Sequence, residues 1–129
     1  MLSIAGTLIL LISCLFGIYV IYEISPPRGV KQIDVLELNK LLDAENKNDF
    51  QYIDVRPADE FDAMHVYGFR NIPLKELKNE ISSLSKNKSV VVICERGNNS
   101  NEACRILKRH GFSNLIQVRG GIITWEHYK

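Results

Sequence analysis

The sequence SVVVICERGNNS, residues 89–100, joins an uninterrupted β-branched run to a short polar segment. A continuous apolar run such as residues 89–93 is typical of a parallel strand that is buried on both faces. The residues from Asn101 to His110 have helical spacing, and Gly111 is placed to end that helix. The segment therefore predicts a strand, a loop and a helix inside an α/β domain with parallel strands.

Strand and helix patterns alternate on both sides of this segment. Strands are predicted at residues 50–55 and 115–118, and helices at residues 58–64, 74–84 and 122–128. Asp34, with Glu37 three residues later, predicts the start of one more helix. This alternation favours a parallel sheet with helices on its faces.

Composition limits the classes of protein that need to be considered. The chain has 129 residues, enough for one domain, and its 16 basic and 15 acidic residues give a formal charge of +1. This balance gives no reason to expect nucleic-acid binding, which usually needs a clear basic excess. The three cysteines, Cys14, Cys94 and Cys104, have no zinc spacing and form no disulfide framework, which fits a reducing compartment.

An apolar segment of residues 2–22 contains no charged side chain. A bilayer core of about 30 Å needs about 20 apolar residues in a helix, so this segment is long enough to span it. Tyr19 and Tyr22 lie at its end, where aromatic rings favour the membrane–water interface. We predict a transmembrane anchor at residues 1–23, a linker at 24–30 and one domain at 31–129.

Two other interpretations of the apolar segment are a cleaved signal peptide and a buried helix of a soluble core. A signal peptide is disfavoured because the segment lacks a basic start, exceeds the usual apolar length and is not followed by a small-residue cleavage site. Arg28, Lys31 and Lys40 follow the segment and no Lys or Arg precedes it. The positive-inside rule then predicts a single-pass membrane protein with its C-terminal domain in the cytoplasm.

Cys94 is the candidate catalytic residue. It follows a buried strand, and ligands of open parallel sheets bind outside the carboxyl ends of the strands. The thiolate is the nucleophilic form of cysteine, and helix N-termini favour it. The alternative is an inert buried cysteine, and Cys104, inside a predicted helix, is interpreted in that way.

The residues after Cys94 are predicted to form a loop whose amides bind an anion. In this prediction Gly97 permits the turn, Arg96 adds positive charge, and Ser100 caps the next helix. The predicted anion-binding residues are Glu95, Arg96, Gly97, Asn98, Asn99 and Ser100.

Four blocks of the sequence resemble the rhodanese-like family in the family's order. They cover most of residues 31–127 and are YIDVR with EF at 52–61, HVYGFRNIPL at 65–74, CERGNNS at 94–100, and GF, VRGG and W between 111 and 125. Each block alone is a weak signal, and together at these separations they form a strong one.

The resemblance implies a five-stranded parallel sheet flanked by helices and a cysteine that accepts sulfane sulfur. Cys94 falls on that position, and residues 95–100 fall on the anion cradle. The expected partners are a small sulfur-donor anion such as thiosulfate and an acceptor such as cyanide, a small thiol or a protein thiol. No metal or organic cofactor is implied.

Four further motif residues, Asp54, Arg56, Glu60 and His65, are interpreted as structural, with Arg56 and Glu60 as a local pair. The chain departs from the family pattern by having Met64 for glycine, Phe69 for alanine and Asn99 for a frequent loop arginine. Met64 and Phe69 predict local repacking of side chains. Asn99 bears on the choice of sulfur donor, and Arg96 is the residue placed to compensate for the missing arginine.

Two other functions belong to different classes. A phosphatase or arsenate reductase is disfavoured, because that chemistry uses Cys-x₅-Arg and Ser100 occupies the arginine position here. A non-catalytic membrane scaffold stays open as the main alternative to a sulfurtransferase.

Overall fold

The computed structural model describes residues 1–128, in which five parallel strands form one sheet. The strands are β1 (Lys31–Ile33), β2 (Phe50–Asp54), β3 (Arg70–Asn71), β4 (Ser89–Ile93) and β5 (Leu115–Val118). Their order in the sheet is β1-β5-β4-β2-β3. The helices are α1 (Ile4–Ile24), α2 (Val35–Asp43), α3 (Ala58–Ala63), α4 (Leu77–Glu80), α5 (Asn98–Arg109) and α6 (Gly121–His127). The predicted α/β fold with a five-stranded parallel sheet is confirmed.

Strand β4 lies at the centre of the sheet, hydrogen-bonded to β2 on one side and to β5 on the other. Val90 and Val92 point into a core formed with α4 and α5, whereas Val91 and Ile93 point into a second core formed with α2 and α6. Side chains of this kind each contribute about 1.5–3 kcal/mol when they are fully buried. The predicted burial on both faces is confirmed for residues 90–93, and Ser89 is partly exposed.

The two edge strands were not visible as residue patterns. Strand β3 has two residues and β1 has three, which is too short for a periodic pattern of apolar side chains. The start of α2 was predictable, since the Asp34 carboxylate accepts a hydrogen bond of 2.8 Å from the backbone N–H of Glu37.

The helix predicted for residues 74–84 is helical over residues 74–83, but it is not one regular α-helix. The chain instead forms a 3₁₀ turn, the four-residue helix α4 and a second 3₁₀ turn at Ile81–Ser83. The Ser83 hydroxyl donates to the carbonyl oxygen of Glu80 at 2.6 Å, and such bonds compete with regular helix formation. The apolar face of the segment is still partly or fully buried against the core, with Leu77 fully enclosed.

The predicted pair of Arg56 and Glu60 is wrong. Arg56 instead donates to the carboxylate of Asp54, with Nη2 at 2.9 Å from Oδ2 and Nε at 3.1 Å from both oxygens. Asp54 is fully buried and Arg56 nearly so, and Arg56 also donates to the carbonyl oxygen of Met64. This buried pair at the end of β2 fixes the turn that leads to α3. Phe69 is buried, with its ring centre 5.3 Å from that of Tyr52.

Helix α1 begins and ends two residues later than the apolar segment at 2–22 predicted, and extends one residue beyond the anchor predicted at 1–23. Ser25 ends it, and two prolines follow. None of its residues is buried, so this 21-residue apolar helix is a candidate membrane span. The domain boundaries at 23 and 30 stay predictions, and Lys129, the last residue of the predicted domain, lies outside the described residues.

Candidate active site

Cys94 lies at the carboxyl edge of the sheet, directly after the central strand β4. A loop of three residues, 95–97, connects it to α5, which begins at Asn98 rather than at the predicted Asn101. Gly97 makes the short connection possible, because its φ of 118° is a backbone conformation that other residues rarely adopt. Asn98 and Asn99 resemble loop residues in sequence, and in the structure they form the first turn of the helix.

The sulfur atom of Cys94 has two polar contacts at this helix N-terminus. The backbone N–H of Gly97 donates to Sγ at 2.9 Å, and Sγ lies 3.4 Å from the hydroxyl oxygen of Ser100, to which the thiol can donate. The N-terminus of a 12-residue helix carries a partial positive charge that favours an anion at this position. Negative charge on the Cys94 sulfur would therefore be stabilised.

Ser100 does not cap the helix as predicted, because Gly97 occupies the N-cap position. The Ser100 hydroxyl donates to the carbonyl oxygen of Gly97 at 2.7 Å and is fully buried. A hydroxyl group can rotate, so Ser100 is able to accept a hydrogen bond from a thiol and to donate one to a thiolate. Its place beside the sulfur makes it part of the site in a different role from the one expected.

Gln117 on β5 forms hydrogen bonds to the loop and to the start of α5, and the sequence analysis did not identify it. Its amide nitrogen lies 2.6 Å from the hydroxyl of Ser100, 2.6 Å from the side-chain oxygen of Asn101 and 3.1 Å from the carbonyl oxygen of Gly97. The sequence does contain an indication of this role, because a glutamine inside the buried strand LIQV needs polar partners.

Helix α6 holds the loop from its other side. Its backbone N–H groups at Ile122 and Ile123 donate to the carbonyl oxygens of Cys94 and Glu95, at 2.9 and 3.2 Å. In a trans peptide the C=O and N–H groups point in opposite directions. The backbone N–H groups of Glu95 and Arg96 therefore face away from α6. Gly121 permits this approach, since a Cβ atom there would lie 2.4 Å from the carbonyl oxygen of Cys94.

The thiol is enclosed, and only 1% of Cys94 is exposed. The side chains of Glu95, Arg96, Asn98 and Asn99 are exposed around the loop, so the structure brings Gly97 and Ser100, but not these four side chains, against the sulfur. A depression of about 150 Å³ beside the loop is lined by residues 96–98 and by Gln117. A reactant therefore reaches the sulfur only after atoms that surround it have moved.

Cys104 differs from Cys94 in its surroundings. It is fully enclosed in the core, and burial, followed by the nearby Cys94, raises the pKa of its thiol to about 12. At neutral pH it is therefore a thiol and not a nucleophile. This agrees with the structural role expected for it.

A cavity of about 840 Å³ lies away from Cys94, near the start of β2. Phe50, Tyr52, Tyr67 and Trp125 are among the residues that line it, and none of residues 94–100 does. Cavity size alone does not identify a reactive site. The Cys94 loop, in contrast, brings a thiol and a backbone N–H donor together at 2.9 Å.

Curated relatives and solved structures resemble this chain over its C-terminal part. It is 34% identical over 73 residues to the putative sulfur carrier protein YrkF of Bacillus subtilis, covering 57% of this chain and 40% of that one. It is 39% identical over 84 residues to the adenylyltransferase and sulfurtransferase UBA4 of Candida glabrata, covering 57% and 19%. The chain thus spans less than half of the length of either relative.

The crystal structure of a rhodanese-related protein from Thermoplasma volcanium superposes with a TM-score of 0.65 at 30% identity. The match covers 76% of this chain and 92% of that one. The family model of the rhodanese-like domain matches residues 35–128, which is most of the chain. This match agrees with the five-stranded sheet and with Cys94 at the end of its central strand, and the chain belongs to the rhodanese-like domain family.

Proposed function

We propose that this protein is a membrane-anchored sulfurtransferase that carries sulfane sulfur on Cys94. The observation that carries the proposal is the hydrogen bond of 2.9 Å from the Gly97 N–H to the Cys94 sulfur at the N-terminus of α5. The relatives named as a sulfur carrier and a sulfurtransferase support transfer of sulfur as the general chemistry. Thiosulfate as the donor is the finer part of the proposal.

The reaction has two steps. The Cys94 thiolate attacks the outer sulfur of thiosulfate, the S–S bond breaks, and its electron pair leaves with sulfite. The product is a cysteine persulfide anion. In this proposal the Gly97 N–H and the Ser100 hydroxyl, which contact Cys94 Sγ, would help to stabilise its negative charge. Cyanide or an acceptor thiolate then attacks the outer sulfur, which restores the Cys94 thiolate and gives thiocyanate or a new persulfide.

The loop residues have different parts in this proposal. Backbone amides of residues 95–97 would bind the donor anion once the loop opens, because peptide N–H groups in a tight turn bind anions. Arg96 is exposed at the edge of the loop and would attract the dianionic donor in place of an arginine at Asn99. Ser100 would exchange hydrogen bonds with the sulfur as it gains charge.

The membrane part of the proposal depends on α1. Its 21 residues form an apolar helix in which no residue is buried, and a bilayer would bury its side chains. Arg28, Lys31 and Lys40 follow it, which supports a cytoplasmic location of the domain under the positive-inside rule. A thiol-dependent reaction also suits that reducing compartment.

A non-catalytic membrane scaffold remains the second candidate, and one observation favours it. The Cys94 side chain is 1% exposed, so no donor reaches it in the described conformation. A scaffold would need the surface of the domain and not the sulfur.

Steady-state kinetics distinguish the two candidates. We expect the full chain, in vesicles, to convert thiosulfate and cyanide into thiocyanate with ping-pong kinetics, because the enzyme holds the sulfur covalently between the two steps. Double-reciprocal plots at several cyanide concentrations should give parallel lines. Intersecting lines would contradict a persulfide intermediate, and no thiocyanate at any concentration would favour the scaffold.

A further inference from the structure

The last turn of α1 is bound to the middle of α5 by side chains of the domain. The guanidinium of Arg105 donates to the carbonyl oxygens of Tyr22 and of Ser25, the latter at 3.0 Å. The Asn101 side-chain amide donates to the carbonyl oxygen of Glu23 at 3.2 Å. The Arg105 guanidinium also lies over the ring of Tyr22, at 4.2 Å from its centre.

These contacts provide hydrogen-bond donors for backbone carbonyl groups at the C-terminal end of α1. The last carbonyl groups of a helix have no partner within it and carry partial negative charge, which a cation stabilises. Arg105 is only 8% exposed, and the carboxylates of Glu102 and Glu23 lie at 3.5 and 4.0 Å from its Nη1. The end of α1 is therefore packed onto α5 and is not connected to it only by a loose linker.

The same junction places the reactive loop beside the end of α1. Ile24, the last residue of α1, and Pro26 line the depression that is also lined by Arg96, Gly97 and Asn98. A helix of 21 residues is about 32 Å long, close to the bilayer core of about 30 Å. With α1 across a bilayer, Ile24 would lie at the membrane boundary, and the loop beside it would lie in the headgroup layer.

The side chains around this junction are rich in positive charge. Arg96 and Arg119 line the depression at the loop, and Lys108 and Arg109 line a second depression against Tyr22. Glu102 pairs with Arg109 at 3.2 Å and lies 3.5 Å from Arg105, whereas Arg96, Lys108 and Arg119 form no ion pair among the described residues. Anionic lipid headgroups attract such clusters near a membrane surface.

We propose that the Arg105 junction holds the domain with the mouth of the Cys94 loop against the anionic surface of the bilayer that contains α1. This inference rests on the proposed membrane anchoring and does not require sulfur transfer. The domain would then have one fixed face towards the lipid, and the loop would meet its reactants at the membrane surface.

Fluorescence quenching in vesicles tests this orientation. Trp125 is the single tryptophan of the chain, so Trp125→Phe gives a background in which Asn98→Trp reports on the loop. Asn46→Trp is the matched control, because Asn46 is also exposed but precedes β2 at the opposite end of the sheet. The vesicles contain phosphatidylcholine and phosphatidylglycerol, with a nitroxide quencher on the headgroup of part of the phosphatidylcholine.

We expect the indole at position 98 to be quenched several-fold more strongly than the indole at position 46. In Arg105→Met, which keeps part of the apolar stem but removes the donors, the difference should fall towards equality. Equal quenching at the two positions, in protein that floats with the vesicles, would overturn the orientation while leaving the anchor intact. An unchanged difference in Arg105→Met would overturn the role of Arg105.

Two further outcomes separate this inference from the proposed function. Protein that fails to float with the vesicles would refute the anchor, and the inference with it. Failure of the unsubstituted protein to form thiocyanate, with the quenching difference intact, would refute sulfur transfer alone. If Arg105→Met does not fold, the comparison of positions 98 and 46 still decides the orientation.

Discussion

Replacing Cys94 with serine is expected to lower the rate of thiocyanate formation by at least about a thousandfold, as loss of a covalent nucleophile does in other enzymes. Serine keeps the size of the side chain and a group that can accept from the Gly97 N–H. It has no thiolate and cannot store a sulfur atom, so the chemistry should be lost while the fold is kept. Initial rates at equal protein concentration, with the melting temperature measured in parallel, check this result.

The matched control is Cys104→Ala, at the other cysteine of the domain. Burial raises the pKa of the Cys104 thiol to about 12, which keeps it protonated at pH 7, so this residue should contribute nothing to turnover. We expect the Cys104 variant to keep most of its rate. A Cys94→Ser protein that retained the wild-type rate would show that another group, or no covalent sulfur, is used.

The largest effect on stability is expected for Asp54→Ala. The fully buried carboxylate accepts three hydrogen bonds from the Arg56 side chain and one from the Arg56 backbone N–H. Its removal leaves the Arg56 guanidinium buried without its counter-charge, which costs about 3–5 kcal/mol of unfolding free energy. A domain of this size loses at least about 4 °C in melting temperature per kcal/mol, so a decrease of more than about 12 °C should be seen by thermal unfolding.

Glu60→Ala is the control for this prediction. Glu60 is exposed in α3, and the structure pairs Arg56 with Asp54 instead. Its removal should change the unfolding free energy by no more than about 0.5 kcal/mol. Equal losses in the two variants, or a larger loss for Glu60→Ala, would contradict the assignment of the buried pair.

The sequence predicts the parts of the fold that depend on long periodic patterns. The four consecutive apolar residues at 90–93 remove apolar surface from water only if both faces of the strand are covered. This places the strand at the centre of the sheet and Cys94 at its carboxyl edge. The cap at Asp34 was also predictable, because it depends on residues three positions apart. The two-residue strand β3 was not, since its pairing with β2 depends on the tertiary fold.

The details of the site depended on contacts between distant segments. The short loop arises because Gly97 adopts a positive φ, which lets α5 begin at Asn98, and residue spacing does not reveal that angle. The role of Gln117 depends on β5 pairing with β4 beneath the loop. The Asp54–Arg56 pair is local in sequence, but the residue types also allow Arg56 to pair with Glu60, and the burial of Asp54, which decides between them, depends on the tertiary fold.

Intact mass measurement after incubation with thiosulfate is the most direct test of sulfur storage on Cys94. The full chain is predicted to gain the mass of one sulfur atom, to lose it again on addition of cyanide, and to gain nothing as Cys94→Ser. An unchanged mass in the wild-type chain, or the same gain in the Cys94→Ser variant, would contradict a persulfide on this cysteine.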